Sequence, residues 1–150
     1  MKIIAAEILI PDRIRWNTAY VIPLSSNIFY AIKLKSADNT RECAEKTLVL
    51  WLNTTWGLLT VLINRQETRG RWTRLKMAQW RLLQVLDVMS LDSDTLKRLA
   101  DIFDKYAEKP LRRIPEQFSP EDPDPVRLGI DKDFIKVLNP SIDEKSWRKV

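Results

Sequence analysis

The stretch Leu48–Arg81, LVLWLNTTWGLLTVLINRQETRGRWTRLKMAQWR, decides the fold because an apolar segment turns abruptly into an arginine-rich one. Apolar residues recur in the first half at spacings of three and four, and others fill much of the opposite side, so the pattern predicts a helix that is apolar nearly all round. We expect this helix to begin near Asn39 or Thr40 and to be the buried centre of the domain. Gly57 in its interior predicts close backbone packing or a bend.

The second half of this stretch, Arg65–Arg81, is called the basic segment below. It contains six basic residues and one acid, Glu67, and so accounts for the whole net charge of +5. Concentrated positive charge interleaved with tryptophan predicts contact with a polyanion, because arginine pairs with phosphate and an aromatic ring can stack on a base. The alternative is a solvated basic surface whose tryptophans belong to the core. The candidate nucleic-acid-binding residues are Arg65, Arg69, Arg71, Trp72, Arg74, Lys76 and Arg81.

The composition excludes several kinds of catalytic site. The chain of 150 residues contains no histidine, which rules out a histidine base, Ser–His and Cys–His pairs and histidine-containing metal sites. Cys43 is the single cysteine, so an internal disulfide and a cysteine-built zinc site are excluded as well. The spacing of Asp101, Asp104 and Glu108 is better explained by a solvated helix face than by a metal site. Carboxylate chemistry stays formally open, but the sequence shows no spacing of acids with a lysine that favours it, and we expect no catalytic residue, no metal and no cofactor.

The first residues and the long apolar run bear on where the protein is located. No basic start followed by an apolar run and a small-residue cleavage site opens the chain, which predicts a cytoplasmic protein. The apolar run of residues 48–63 includes Asn53, Thr54 and Thr55 and is shorter than the roughly 20 residues of a membrane span, so we expect no membrane contact. These three polar residues are expected to satisfy backbone groups or one another in the core.

The rest of the chain predicts an α+β fold. Three apolar or alternating segments near the N-terminus predict a small antiparallel sheet packed on the long apolar helix: Lys2–Ile10, Thr18–Pro23 and Ile28–Lys35. A second, amphipathic helix is predicted between Ser90 and Lys109. Four prolines and four acids between Pro115 and Pro125 predict an extended, exposed linker. The predicted organisation is a recognition domain over residues 1–112, a linker over 113–129 and a short helical appendage over 130–150.

Several short motifs, taken in order, resemble a known family. They are Ser26–Tyr30, Trp51–Gly57, Glu67–Gly70, Val85–Asp87 and Arg127–Asp131. Their order and spacing are similar to the region after the catalytic domain in N6-adenine DNA methyltransferases of restriction-modification systems. In that family a helix with a Leu-Asn-Ser/Thr motif is followed by a basic loop with Glu-Thr-Arg-Gly and by a later helix.

The motifs that this family needs for methyl transfer are missing. The chain has neither a glycine-rich cofactor loop nor the Asn/Asp-Pro-Pro-aromatic motif that holds the target adenine, and Asn139–Ile142 lacks the second proline and the aromatic residue. The resemblance therefore implies a non-catalytic DNA-recognition module that acts with a separate methyltransferase subunit. The alternative is a protein-interaction subunit, or a remnant of a split methyltransferase with no DNA binding of its own.

Overall fold

In the computed structural model, the described residues fall into two groups. Backbone and side chains are described for Leu34 and for residues 40–65 and 75–142, and the backbone alone is described for five short strands. The helices are α1 (Arg41–Leu52), α2 (Thr55–Asn64), α3 (Met77–Leu82), α4 (Ser93–Tyr106), α5 (Ile114–Gln117) and α6 (Pro125–Leu138), with one 3₁₀ turn at Val88–Ser90.

The predicted central helix is broken in its middle. α1 and α2 are bent by 71° relative to each other, and the break falls on the polar residues Asn53 and Thr54. The Asn53 amide donates to the Val49 carbonyl at 2.9 Å, and the Thr54 hydroxyl donates to the Trp51 carbonyl at 2.6 Å and accepts from the Gly57 amide at 3.1 Å. The prediction that these polar residues satisfy the backbone is confirmed for Asn53 and Thr54, which end one helix and cap the next. It is wrong for Thr55, whose hydroxyl donates to the side chain of Asp131.

Close backbone packing at Gly57 is also confirmed. A Cβ at this position would lie 2.2 Å from the Trp51 carbonyl oxygen and 2.7 Å from the Leu52 Cα. Both atoms are backbone atoms, so they cannot swing aside as a flexible side chain would. Glycine is required here because the first turn of α2 presses against the last turn of α1.

The core is formed by helices that cross one another. α1 packs against α4, and α4 packs in turn against α6. Leu50 of α1, Leu99 of α4 and Phe134 of α6 belong to one buried cluster. Burying each such side chain contributes roughly 1.5–3 kcal/mol, so this three-helix contact is a main source of stability. The other buried cluster joins α1 and α2 to Leu75, Val88 and Leu96.

α4 confirms the predicted amphipathic helix. Asp92 caps its N-terminus, accepting from the Thr95 amide at 2.9 Å and from the Thr95 hydroxyl at 2.7 Å. The predicted apolar stripe is turned inward, and the helix ends before Lys109–Pro110 as expected. The buried residues of the stripe are Leu96, Leu99, Ala100 and Tyr106.

The predicted α+β fold is wrong. Of the residues whose side chains are described, 66% are helical and none lies in a strand. The main partner of α1 is α4, and the strands Lys2–Ala6 and Asn17–Ala19 make only minor contacts with it, whereas the sequence predicts an antiparallel sheet as its main partner. Alternating residues report only a local preference for extended backbone, and they carry no information about which distant element covers a helix face.

Among the described residues, strand geometry occurs in five short backbone segments: β1 (Lys2–Ala6), β2 (Ile8–Leu9), β3 (Asn17–Ala19), β4 (Phe29–Ile32) and β5 (Thr73–Arg74). β1 lies between β3 and β4, with Ile3 opposite Thr18 and Ile32, and β2 pairs with β5 through Ile8 and Arg74. Leu34 of the predicted strand Ile28–Lys35 is described and is not in a strand, whereas other residues of the predicted strands, such as Ile10 and Val21, and the candidate cap Asn39 lie outside the described residues.

The segment predicted as an extended, exposed linker contains structure. α5 begins at Ile114, and Gln117, Asp124 and Arg127 are buried. The last helix also begins at Pro125, five residues earlier than Ile130. Its start is explained by Asp124, which caps the helix, and by proline at the first helical position, where no amide is needed. The division into three parts stays a prediction, as does the structure after Ile142, which is not described.

The length and polarity of the helices decide whether one of them could span a membrane. Among the described residues, no single helix is long and apolar enough to cross a membrane. α1 and α2 reach that length and composition only together, as the bent pair.

The break between α1 and α2 gives a prediction about stability. We expect Gly57→Ala to destabilise the protein by about 2–3 kcal/mol, because overpacking against backbone atoms outweighs the gain in helix propensity. Asp101→Ala is the control, since it introduces alanine at an exposed position inside α4 and should change stability by no more than about 0.5 kcal/mol. Urea unfolding of both variants measures the difference, and a loss in Gly57→Ala no larger than in Asp101→Ala would contradict the role assigned to Gly57.

Candidate functional site

The predicted nucleic-acid-binding residues are only partly described. Arg65 is exposed and follows the last residue of α2, and the backbone of Arg74 lies in β5. Lys76 and Arg81 are exposed at the two ends of α3. Arg69, Arg71 and Trp72 lie outside the described residues, and the side chain of Arg74 is not described. The basic segment as a binding site therefore stays a prediction.

The charged and aromatic side chains of α3 and its N-cap lie on different sides. The Lys76 amide donates to the Gln79 side-chain oxygen at 3.0 Å, which starts the helix. Trp80 is half-buried and packs against the core cluster of α1 and α2. For this tryptophan, the alternative that it belongs to the core is therefore supported. Lys76 and Arg81 remain on the surface, and no acid occurs between Leu75 and Leu86. This short helix thus presents cations outward.

Several other cations have acidic partners. Lys46 of α1 contacts Asp104 of α4 at 2.7 Å, Lys105 contacts Asp133 at 2.6 Å, and Arg112 contacts Asp122 at 2.8 Å. Among the described residues, no ion pair includes Arg65, Lys76 or Arg81. These three charges are available to an external anion.

A second site, which the sequence analysis does not identify, joins the break between α1 and α2 to α6. Asp131 of α6 accepts hydrogen bonds from the Thr55 amide at 2.8 Å and from the Thr55 hydroxyl at 2.5 Å. The Asp131 side chain thereby supplies an acceptor for a first-turn amide of α2, which has no partner within its own helix. Asp131 is 4% exposed.

Arg127 lies one helical turn before Asp131 and is 2% exposed. Its guanidinium donates to the Gln117 side-chain oxygen at 2.9 Å and 2.7 Å, and also to the Asn53 carbonyl. Gln117 in turn donates to the Arg112 carbonyl at 2.5 Å. A single buried cation therefore joins the end of α1 and the end of α5 to α6.

Asp124 completes this buried cluster. Its carboxylate accepts from the amides of Val126 at 2.7 Å, Arg127 at 3.2 Å and Arg112 at 2.7 Å. Three backbone donors stabilise a buried negative charge without a cation in direct contact. The polar cluster, as it is called below, consists of Thr55, Gln117, Asp124, Arg127 and Asp131.

Burial shifts the ionisation of two members of the polar cluster. Desolvation raises the pKa of Asp131, although the Thr55 hydrogen bonds and the charge of Arg127 oppose this shift. Desolvation also lowers the pKa of Arg127, against the charges of Asp131 and Asp124. The two acids and one arginine give the cluster a formal charge of −1 when all three are ionised.

A cavity of about 350 Å³ opens beside the polar cluster. Three elements contribute to its lining: the first turns of α2, the chain around Phe118, and α6. Its lining residues are Thr55, Trp56, Leu59, Gln117, Phe118, Ser119, Pro123, Arg127, Leu128 and Asp131. A carboxylate, a guanidinium and two aromatic rings therefore meet one open space.

The sequence contains a pattern that could have predicted the burial of Arg127 and Asp131, but the same residues also fit an exposed linker. Arg127 and Asp131 lie four residues apart, on the same helical stripe as Ile130 and Phe134, which is where buried residues belong. Charged residues so close to four prolines also fit an exposed linker. The Asp124–Pro125 pair distinguishes the two cases, since it has the form of a cap and first residue of a helix.

Comparisons with known proteins add no assignment. No family model, no curated protein and no solved structure matches the chain. Within the described parts of the chain, no group of three aspartate, glutamate or cysteine side chains is placed to hold a metal ion. Asp104, one of the acids weighed as a metal ligand, instead pairs with Lys46.

The raised pKa of Asp131 gives a prediction with a definite sign. Because the folded protein holds this proton more tightly than the unfolded chain, ionisation of Asp131 penalises the folded state as pH rises through the raised pKa. We expect the free energy of unfolding of the wild type, measured relative to Asp131→Asn, to fall as pH rises from about 4, the ordinary aspartate pKa, to the raised pKa of Asp131, and then to level off. Urea unfolding at several pH values measures this difference. A difference that grows with pH would contradict the assignment.

Asp133 supplies a control of opposite sign on the same helix. Desolvation acts to raise the pKa of Asp133, but hydrogen bonds from Lys105 and Tyr106 outweigh it, so the pKa is lowered. The stability that Asp133 contributes is present at neutral pH and is lost as pH falls through its folded pKa. Relative to Asp133→Asn, the wild type should therefore lose its advantage only below about pH 4.

Proposed function

We propose that this protein is a non-catalytic module that binds duplex DNA through the basic segment. The observation that carries the proposal is the set of exposed cations Arg65, Lys76 and Arg81, which lack an acidic partner among the described residues. Phosphates along a DNA strand are the partner that such a set of charges fits, because each contact releases a counterion and adds affinity.

The charge distribution of the whole chain supports the same proposal. The net charge of +5 arises within seventeen residues, and the remainder of the chain is neutral. A surface of one sign on an otherwise balanced protein steers a polyanion to one place. In keeping with the sequence resemblance, the module acts together with a separate methyltransferase subunit that supplies the catalytic groups.

A specific observation favours a second candidate function, that of a protein-interaction subunit. Leu82 is 73% exposed, and Val85 and Met77 are exposed nearby on and after α3. They adjoin an apolar cavity of about 290 Å³ lined by Leu48, Leu52, Met77, Trp80, Arg81, Leu83 and Val85. Exposed apolar side chains around a cavity are common at interfaces between proteins.

A salt titration with a matched pair of variants tests DNA binding. For Lys76→Glu/Arg81→Glu, we expect the dissociation constant for a duplex to rise about tenfold or more and the slope of log K against log salt to fall by roughly 2. The control is Lys97→Glu/Arg98→Glu, which makes the same charge change at exposed positions of α4 and should alter affinity by no more than about twofold. Fluorescence anisotropy with labelled duplex, single-stranded DNA and RNA measures all three proteins.

The outcomes separate the candidates. Equal loss in both double variants would mean that net charge alone attracts DNA and would remove the basic segment as the site. No binding by the wild type at low salt would reject the DNA-binding proposal and leave the apolar surface around Leu82 and Val85 as the better-supported contact.

A further inference from the structure

We propose that the cavity beside Asp131 is a binding site for a small organic cation with a flat apolar body, such as an aromatic amidine or amine. This site shares no residue with the basic segment and is independent of DNA binding. It is formed where α2, α5 and α6 meet.

One carboxylate and one guanidinium line the cavity, and the difference in their hydrogen-bond partners favours a cation at Asp131. Arg127 donates to neutral oxygens of Gln117 and Asn53 in the described contacts, and Asp124 is satisfied by three backbone amides. The hydrogen bonds recorded for Asp131 come only from Thr55, and no ion pair among the described residues includes it. A bound cation would supply the direct charge partner that this buried carboxylate lacks.

The geometry of Asp131 leaves room for such a ligand. Each carboxylate oxygen accepts one hydrogen bond from Thr55 and has a second lone pair, so an oxygen of Asp131 can accept from one N–H of an ammonium or amidinium group. Asp131 is also among the residues that line the cavity. Desolvation raises the pKa of Asp131 because the buried negative charge is costly. A cation in the cavity would offset that cost, so the pKa shift also favours a cationic ligand.

The walls of the cavity fit the apolar part of the ligand. Trp56 and Phe118 supply aromatic surface, and Leu59, Pro123 and Leu128 supply aliphatic surface. The Phe118 ring also lies 6.0 Å from the Arg127 guanidinium carbon. Aromatic rings attract organic cations, and the cavity volume of about 350 Å³ lies within the roughly 300–1,000 Å³ that is usual for small-molecule sites. Phe118 is 43% exposed, so the cavity is accessible from solvent on that side.

Three small probes, each with one aromatic ring, test which ligand charge the cavity prefers. Benzamidine carries a cation, benzoate an anion and benzyl alcohol no charge. We expect benzamidine to shift the Thr55 amide resonance saturably in ¹H–¹⁵N spectra, with an affinity at least about tenfold higher than that of the other two. Preferred binding of benzoate would overturn the proposal, since Arg127 would then be the ligand-binding group. Equal affinity for all three would overturn it as well, because the site would be merely apolar.

Two matched substitutions test whether Asp131 is the charged group that binds the ligand. Asp131→Asn should weaken benzamidine about tenfold or more and leave benzyl alcohol unchanged, whereas Asp133→Asn, the same charge change two residues along α6, should leave benzamidine affinity within about twofold. Equal weakening in both variants would reject Asp131 as the partner. If Asp131→Asn does not fold, Phe118→Ala tests the site, because this exposed side chain can be removed without opening the core. Unchanged benzamidine affinity in Phe118→Ala would overturn the proposed cavity.

Discussion

The structure depends on one contact between distant parts of the chain, the pair of hydrogen bonds from Thr55 to Asp131. The apolar residues of 48–63 fit a single helix, but the local hydrogen bonds of Asn53 and Thr54 end α1 and cap α2. The chain instead bends by 71° after Leu52, which exposes the first amides of α2. Thr54 supplies a local acceptor for one of these amides and Asp131 a distant one for another. The bend therefore fixes the position of α6, and α6 in turn stabilises the bend.

Arg127 extends the same constraint to two further elements. Because its guanidinium donates to Asn53 at the end of α1 and to Gln117 at the end of α5, a displacement of either element leaves a buried donor without a partner. The apolar contacts of Leu50, Leu99 and Phe134 tolerate small shifts of one helix along another, whereas hydrogen bonds do not. The apolar core thus supplies much of the stability, and the polar cluster selects one arrangement of helices.

Sequence patterns predict the local features of this fold well and the long-range ones poorly. The stripe of Leu96, Leu99 and Ala100 and the stop at Lys109–Pro110 predict α4 because periodicity and helix breakers act within a few turns. The polar residues at Asn53 and Thr54 indicate local backbone satisfaction for the same reason. The choice of α4 as the partner of α1 is a property of the whole chain, so the predicted sheet in that position is wrong. The contact between Thr55 and Asp131 spans 76 residues and no local pattern encodes it.

The two candidate sites use charge in opposite ways, and this difference explains why only one is conspicuous in the sequence. In the basic segment, like charges accumulate in a short window, and their separation from acids is visible by counting. In the polar cluster, opposite charges are nearly balanced, and what matters is their burial. Arg127 and Asp131 resemble any surface pair until α6 is known to begin at Pro125 and to turn that face inward. A buried carboxylate without a direct cation costs stability in water-free surroundings, and the two Thr55 hydrogen bonds offset part of that cost for Asp131. Its place on the wall of the cavity is what allows the proposed external cation to offset more of it.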